Sequence, residues 1–191
     1  MLIDRIIGAF TFRRGVYAEV EKDTSFTTTA WILVVVVTFL NQLGSHASPN
    51  FINWLISAVL GTITMVIGFA LATAVISWTG RSLFSAEVTF DELVRTLGLA
   101  SVWNIIGFAG ALVSVFPLLA CLTAPVLILG VVLLVVAWFM AAKEALDLDW
   151  GQTIITVILG VIVWALIWVL TRGALALMGL TARAVGGVLG L

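Results

Sequence analysis

"TSFTTTAWILVVVVTFLNQLGSHASPNFINWLISAVLGTITMVIGFALATAVISWTG", residues 24–80, runs for 57 positions without an Asp, Glu, Lys or Arg. An ionised side chain at the centre of a bilayer costs about 2.5–3.5 kcal/mol even on the mildest scale, so a charge-free run marks what can lie in lipid. About 20 residues cross the hydrocarbon, and this run therefore holds two helices if it contains a turn. The segment "GSHASPN" at 44–50 supplies one, with a proline that disfavours a continuing helix.

The same reasoning extends along the chain. Arg95 to Lys143 encloses 47 uncharged residues, broken by "FPLLACLTAP" at 116–125, and Asp149 to Arg172 encloses 22. Two, two and one spans result. The expected fold class is an all-α membrane protein with five transmembrane helices, at about 27–43, 52–78, 97–114, 124–142 and 152–171, and with cytoplasmic amphipathic segments. Residues 1–26 form a cytoplasmic arm, 27–172 the bundle and 173–191 a far-side C-terminal tail.

Composition agrees. Of 191 residues 62% are hydrophobic and the mean hydropathy is +1.24, outside the range of a domain that must cover its core with polar surface. A net charge of -1 offers no basic field, so nucleic acid is excluded as a partner. One cysteine, Cys121, makes neither an internal disulfide nor a cysteine metal cage. "MLIDRIIGAFTFRRG" carries an acid at position 4 and no small-residue cleavage site before Arg13, unlike a removable signal.

Lys and Arg on alternate connections total seven against two, which by the positive-inside rule places the N-terminus in the cytoplasm and the C-terminus on the far side of the cell inner (plasma) membrane. Trp31, Trp78, Trp138 and Trp150 fall near the cytoplasmic ends of their spans, and Trp54 and Trp168 near the opposite ends, as indoles at both interfaces would.

Between the second and third spans stands "TFDELVRTLGLA", residues 89–100. Thr89 and Glu92 have capping-box spacing, and Asp91 and Arg95 have the spacing of an exposed i, i+4 ion pair. Phe90, Leu93, Val94 and Leu97 make one apolar stripe, the candidate face for a partner or for lipid. Alternatively the segment is the entry turn of the third span. An exposed pair contributes only about 0.3–0.5 kcal/mol, so the stripe should matter more than the charges. Leu2, Ile3, Ile6, Ile7 and Phe10 similarly make the arm an in-plane helix, and Asp149 with Gln152 fits the start of the fifth span.

Catalysis requires groups that can converge, and the inventory is poor: no catalytic, cofactor-binding or metal residues are assigned. His46, the only histidine, lies in a far-side turn with no carboxylate to orient it, and is read as a solvated turn residue. No predicted helix centre carries an ionisable group, which disfavours a channel or carrier. Packing chemistry is more prominent. Ser57, Gly61, Thr64, Gly68 and Ala72 fall within about 80 degrees of one another on the second helix, a candidate packing seam, and Gly107, Gly110, Ala111 and Ser114 act similarly on the third.

The layout resembles the Yip family, the Ypt-interacting-protein domain. "RSLFSAEVTFDELVRTLGLASVW" at 81–103 is similar to that family's segment after the second span, and "VVAWFMAAKEALDLDWGQTIITVILG" at 135–160 to its fourth-to-fifth connection. Val102 and Arg13 or Arg14 stand where the family pattern has prolines. The acidic-tyrosine-glycine-proline signature of eukaryotic members is absent, so the resemblance does not carry over binding of a Rab-type GTPase, and short length with a minimal arm looks prokaryotic. The first reading is a non-enzymatic membrane protein without cofactors that organises lipid or partner proteins, its partners being the bilayer and other membrane proteins or further copies of itself. The alternative is an accessory subunit of a respiratory or photosynthetic complex, in contact with quinone or pigment.

Overall fold

A computed structural model describes residues 1–45 and 51–189; His46 and the rest of the turn to Asn50 lie outside the described residues. Two short helices, α1 (Leu2–Phe10) and α2 (Val16–Lys22), precede α3 (Phe26–Ser45) and α4 (Phe51–Phe84). The third span is composite: α5 (Phe90–Ala100), a 3-10 stretch (Ser101–Ala109) and α6 (Gly110–Val115). After a 3-10 turn at Pro117–Leu119 come α7 (Ala120–Leu146) and α8 (Trp150–Leu189). Five segments are long and apolar enough to cross a membrane: Phe26–Ser45, Phe51–Phe84, Phe90–Val113, Ala120–Leu146 and Trp150–Leu170.

Several helices outrun the sequence expectation. α4 has 34 residues, about 51 Å at 1.5 Å per residue, against a hydrocarbon thickness of about 30 Å. α5 opens at Phe90 instead of position 97, because the capping box forms: the Thr89 hydroxyl accepts from the Glu92 amide at 3.3 Å, and the Glu92 carboxylate accepts from the Thr89 amide at 2.7 Å. α7 opens at Ala120 and takes Pro125 into its second turn, where a missing N–H removes only one helical hydrogen bond. The expected tail at 173 onward is helical through Leu189, a continuation of α8 in a segment rich in Ala and Leu.

The core is centred on the third span. Residues 93–103 are buried at every position, although this stretch includes Arg95, Thr96 and Ser101. A helix buried all round needs neighbours on every side. α3, α4 and α7 supply three, and α2, lying across α5, supplies the fourth. α8 packs chiefly against α4, where Gly160 admits the side chain of Ile76.

Candidate functional site

Most charged residues lie in or beside α1, α2, the C-terminal ends of α4 and α7 and the start of α5, and α2 packs on α1, α5 and α7. α2 is held there by Arg95, which is 4% exposed. Its Nε donates to the carbonyls of Val20 at 3.1 Å and Glu21 at 2.9 Å, its Nη2 donates to the Glu21 carbonyl, and its Nη1 donates to Thr27 Oγ1 at 3.2 Å. Val20 and Glu21 lie in the last turn of α2, where the Val20 carbonyl accepts only a long bond from the Asp23 amide at 3.3 Å and the macrodipole favours a cation. The guanidinium thus satisfies a helix end and is itself satisfied. This corrects the expectation of an exposed Asp91–Arg95 pair.

The candidate partner or lipid face is also corrected. Leu93, Val94 and Leu97 are fully buried inside the chain, and Phe90 is half-buried against the same core, 6.4 Å from the Trp31 ring. The amphipathic pattern was real, but the apolar stripe meets the chain's own helices, leaving it unavailable to lipid. Trp138 is corrected likewise: it is buried, edge-on to Phe69, which in turn meets Trp31. Trp78 and Trp150 are exposed, as an interfacial belt requires.

The seam on α4 is divided between two neighbours. Gly61 faces Gln42 of α3, where an added Cβ would lie 2.8 Å from the Gln42 Oε1, while Gly68 faces Trp164 and Ile167 of α8. Ala72 is buried, its carbonyl close to Gly160, and Ser57 and Thr64 are half-buried, with the Thr64 hydroxyl bonded to the Leu60 carbonyl of its own helix. All these contacts lie within one chain. In the third span Gly107 and Gly110 oppose Gly44 of α3, so closely that a Cβ on Gly44 would lie 2.0 Å from the Gly107 carbonyl oxygen.

The arm is clamped rather than loose. Phe10 and Phe12 take two sides of Trp103, with ring centroids at 5.0 Å edge-on and 5.5 Å stacked. Phe12 adopts a left-handed φ of 50°, unusual for a bulky side chain, and that turn brings its ring onto the indole. Arg5 pairs with Asp23 at 2.7 Å and lies over the Phe26 ring, and Arg13 joins Asp4 and Glu19. Ile6 and Phe10 pack inward, while Leu2, Ile3 and Ile7 are 42%, 72% and 55% exposed. Sequence reasoning missed Arg95, Gly44 and the Phe10–Trp103–Phe12 stack. A lone arginine inside an otherwise apolar helical stripe was the available signal for the first.

The described structure is therefore that of a five-span, all-α membrane protein whose N-terminal helices are built into one end of the bundle. A family model described as Yip1 domain matches residues 7–187, nearly the whole chain, and the protein belongs to that family. No match is found among curated proteins or among solved structures.

Proposed function

We propose that this Yip1-family protein is a non-enzymatic organiser of the membrane, acting on lipid through helix α1. The observation that carries the reading is the pairing of a clamped inner face with an uncovered outer one: Phe10 and Phe12 fix α1 to Trp103, while Leu2, Ile3 and Ile7 remain exposed. A short apolar ridge held at the end of an anchored bundle enters the headgroup layer at a fixed position and displaces lipid there. Exposed Arg14 beside it adds attraction for anionic headgroups.

In this reading the N-terminus is cytoplasmic, the C-terminus lies across the cell inner membrane, and α1 acts on the cytoplasmic leaflet. The Lys/Arg distribution supports that orientation. Single-cysteine labelling with a membrane-impermeant reagent, in a Cys121→Ser background, tests it. Ser48→Cys reacts in intact cells and Ser85→Cys only after permeabilisation; equal reaction at both removes the topology.

The lipid reading is tested in vesicles of phosphatidylcholine and phosphatidylglycerol. The full chain lowers mean vesicle diameter, measured by electron cryomicroscopy, and Ile3→Ser with Ile7→Ser abolishes the effect at equal incorporation. Diameters that do not differ between the two overturn it, as does stoichiometric recovery of the chain inside a larger complex from native membranes.

A further inference from the structure

A cavity of about 450 Å3 lies between α3, α4, the third span, α7 and α8. It runs from the level of Phe69, Trp103 and Trp138, where Trp103 also meets Phe10 at the end of helix α1, towards Ser45, Gly110 and Trp168. That size is within the range of pockets that enclose a small organic molecule, about 300–1,000 Å3. Its lining is mainly apolar and contains no Asp, Glu, Lys or Arg among the described residues.

Helical winding gives one wall its character. Ser101, Asn104, Gly107 and Gly110 all line the cavity, at intervals of three residues. In an α-helix these positions would drift around the axis by about 60 degrees per step, but a 3-10 helix has three residues per turn and stacks them on one edge. The segment Ser101–Ala109 is wound as 3-10 over nine residues, longer than the three or four usual for that geometry. The Asn41 amide, from α3, fastens to this edge by donating to the Asn104 carbonyl at 3.0 Å. A small and polar strip is thereby held along an otherwise oily chamber.

Two donors in the lining are unmatched. Trp103 and Trp138 are 9% and 6% exposed, both line the cavity, and neither Nε1 has a hydrogen-bond partner among the described residues. An indole N–H can only donate, and a buried donor without an acceptor carries a free-energy penalty that an occupant with an acceptor oxygen would relieve. The uncharged lining gives an ionised headgroup nothing to pair with at membrane depth.

We infer that the cavity binds a neutral, membrane-dissolved lipid whose head bears a carbonyl oxygen, with the apolar chain against α4, α7 and α8 and the carbonyl accepting from Trp103 or Trp138. An acyl ester and a quinone share this chemistry. The site shares Trp103 with the clamp on α1, but the leaflet action is read at Ile3 and Ile7, so failure of the lipid site would leave that proposal standing.

The purified full chain in detergent is irradiated with a diazirine-bearing monoacylglycerol or a diazirine-bearing phosphatidylcholine, and labelled peptides are identified by mass spectrometry. The monoacylglycerol probe labels residues 101–110 and 127–138 saturably; unlabelled monoacylglycerol or decylubiquinone displaces it, whichever is the more effective marking an ester or a quinone as the source. Of Trp103→Phe and Trp138→Phe, each retaining an aromatic ring, the one that removes the donor in use weakens apparent affinity by roughly 2- to 13-fold. Val161→Phe, which narrows the lining without touching either indole, lowers labelling as well. Non-saturable labelling of the wild-type chain, equal labelling by the zwitterionic probe, or labels confined to the outer faces of α7 and α8 overturns the inference whatever the variants do. So does unchanged affinity in both tryptophan variants.

Discussion

Arg95 Nε lies 2.9 Å from the main-chain carbonyl oxygen of Glu21, joining the third span to the N-terminal arm across 74 residues of sequence. This partly buried bond, with the buried one to Val20 and that to Thr27, makes Arg95 the fastening of α2 to the bundle. Arg95→Gln leaves the last carbonyls of α2 without their charged donor, and the expected cost is about 3 kcal/mol, as for loss of charge-assisted buried bonds. Thermal unfolding of the purified protein reads the loss, and limited proteolysis reads where it falls. Cleavage should become faster between residues 11 and 25. Asp91→Asn, on the exposed side of the same helix, should leave both unchanged.

Leu93 and Leu97 are fully buried, and so they behave as core residues. Leu97→Ala is expected to destabilise by about 2–5 kcal/mol, and Leu93→Ala by a similar amount. The membrane-fraction level and melting temperature both fall, before any effect on partner recovery can be read. A variant with wild-type stability would restore the exposed stripe that the packing removes.

The approach of Gly44 to Gly107 leaves no space for a methyl group. Gly107→Ala must push α3 away from the third span, against the Asn41 side chain 2.0 Å from the added carbon, and should cost about 1–3 kcal/mol by overpacking. Gly151→Ala, with nothing within 4 Å of the added Cβ, is the matched control and should be near neutral. Denaturant or thermal midpoints of the two variants decide the matter; equal shifts would mean that the crossing is loose.

Two carboxyls give opposite pH dependences. The Ser25 hydroxyl, then the Arg5 guanidinium, hold Asp23 below the usual carboxylate range, so its stabilisation is present above the unfolded pKa of about 3.9 and disappears as pH falls through the lower folded value. Burial, then Asp147, Glu92 and Glu144, push Glu21 up, against a smaller opposing influence of Lys22. An ionised Glu21 therefore destabilises the fold above its raised pKa and has no such effect below the unfolded value of about 4.3. Melting temperatures at pH 8 and pH 4 should show Glu21→Gln more stable than wild type only at pH 8. Asp23→Asn should be less stable than wild type at pH 8 and still so near pH 4, with the difference shrinking only as the pH falls below about 3.9.

By itself the sequence determined five spans and their order, together with the capping box at Thr89 and Glu92. Each depends on free energy that is local and nearly additive along the chain: the cost of a charge in lipid, the reach of a helix, a hydrogen bond three residues long. Tertiary structure alone decided what covers each face. In a bilayer an apolar stripe is as well accommodated by acyl chains as by another helix, so periodicity marks Phe90, Leu93, Val94 and Leu97 as apolar without saying that α3, α4 and α7 enclose them. Similarly, a lone arginine spaced for a local ion pair found its acceptors at Val20 and Glu21, because helix-end carbonyls exist as partners only once α2 has docked. The 3-10 winding that aligns Ser101, Asn104 and Gly107 coincides with close packing of the third span on α3, where Gly44 meets Gly107, and that contact spans 63 residues, as does the bond from Asn41 to Asn104.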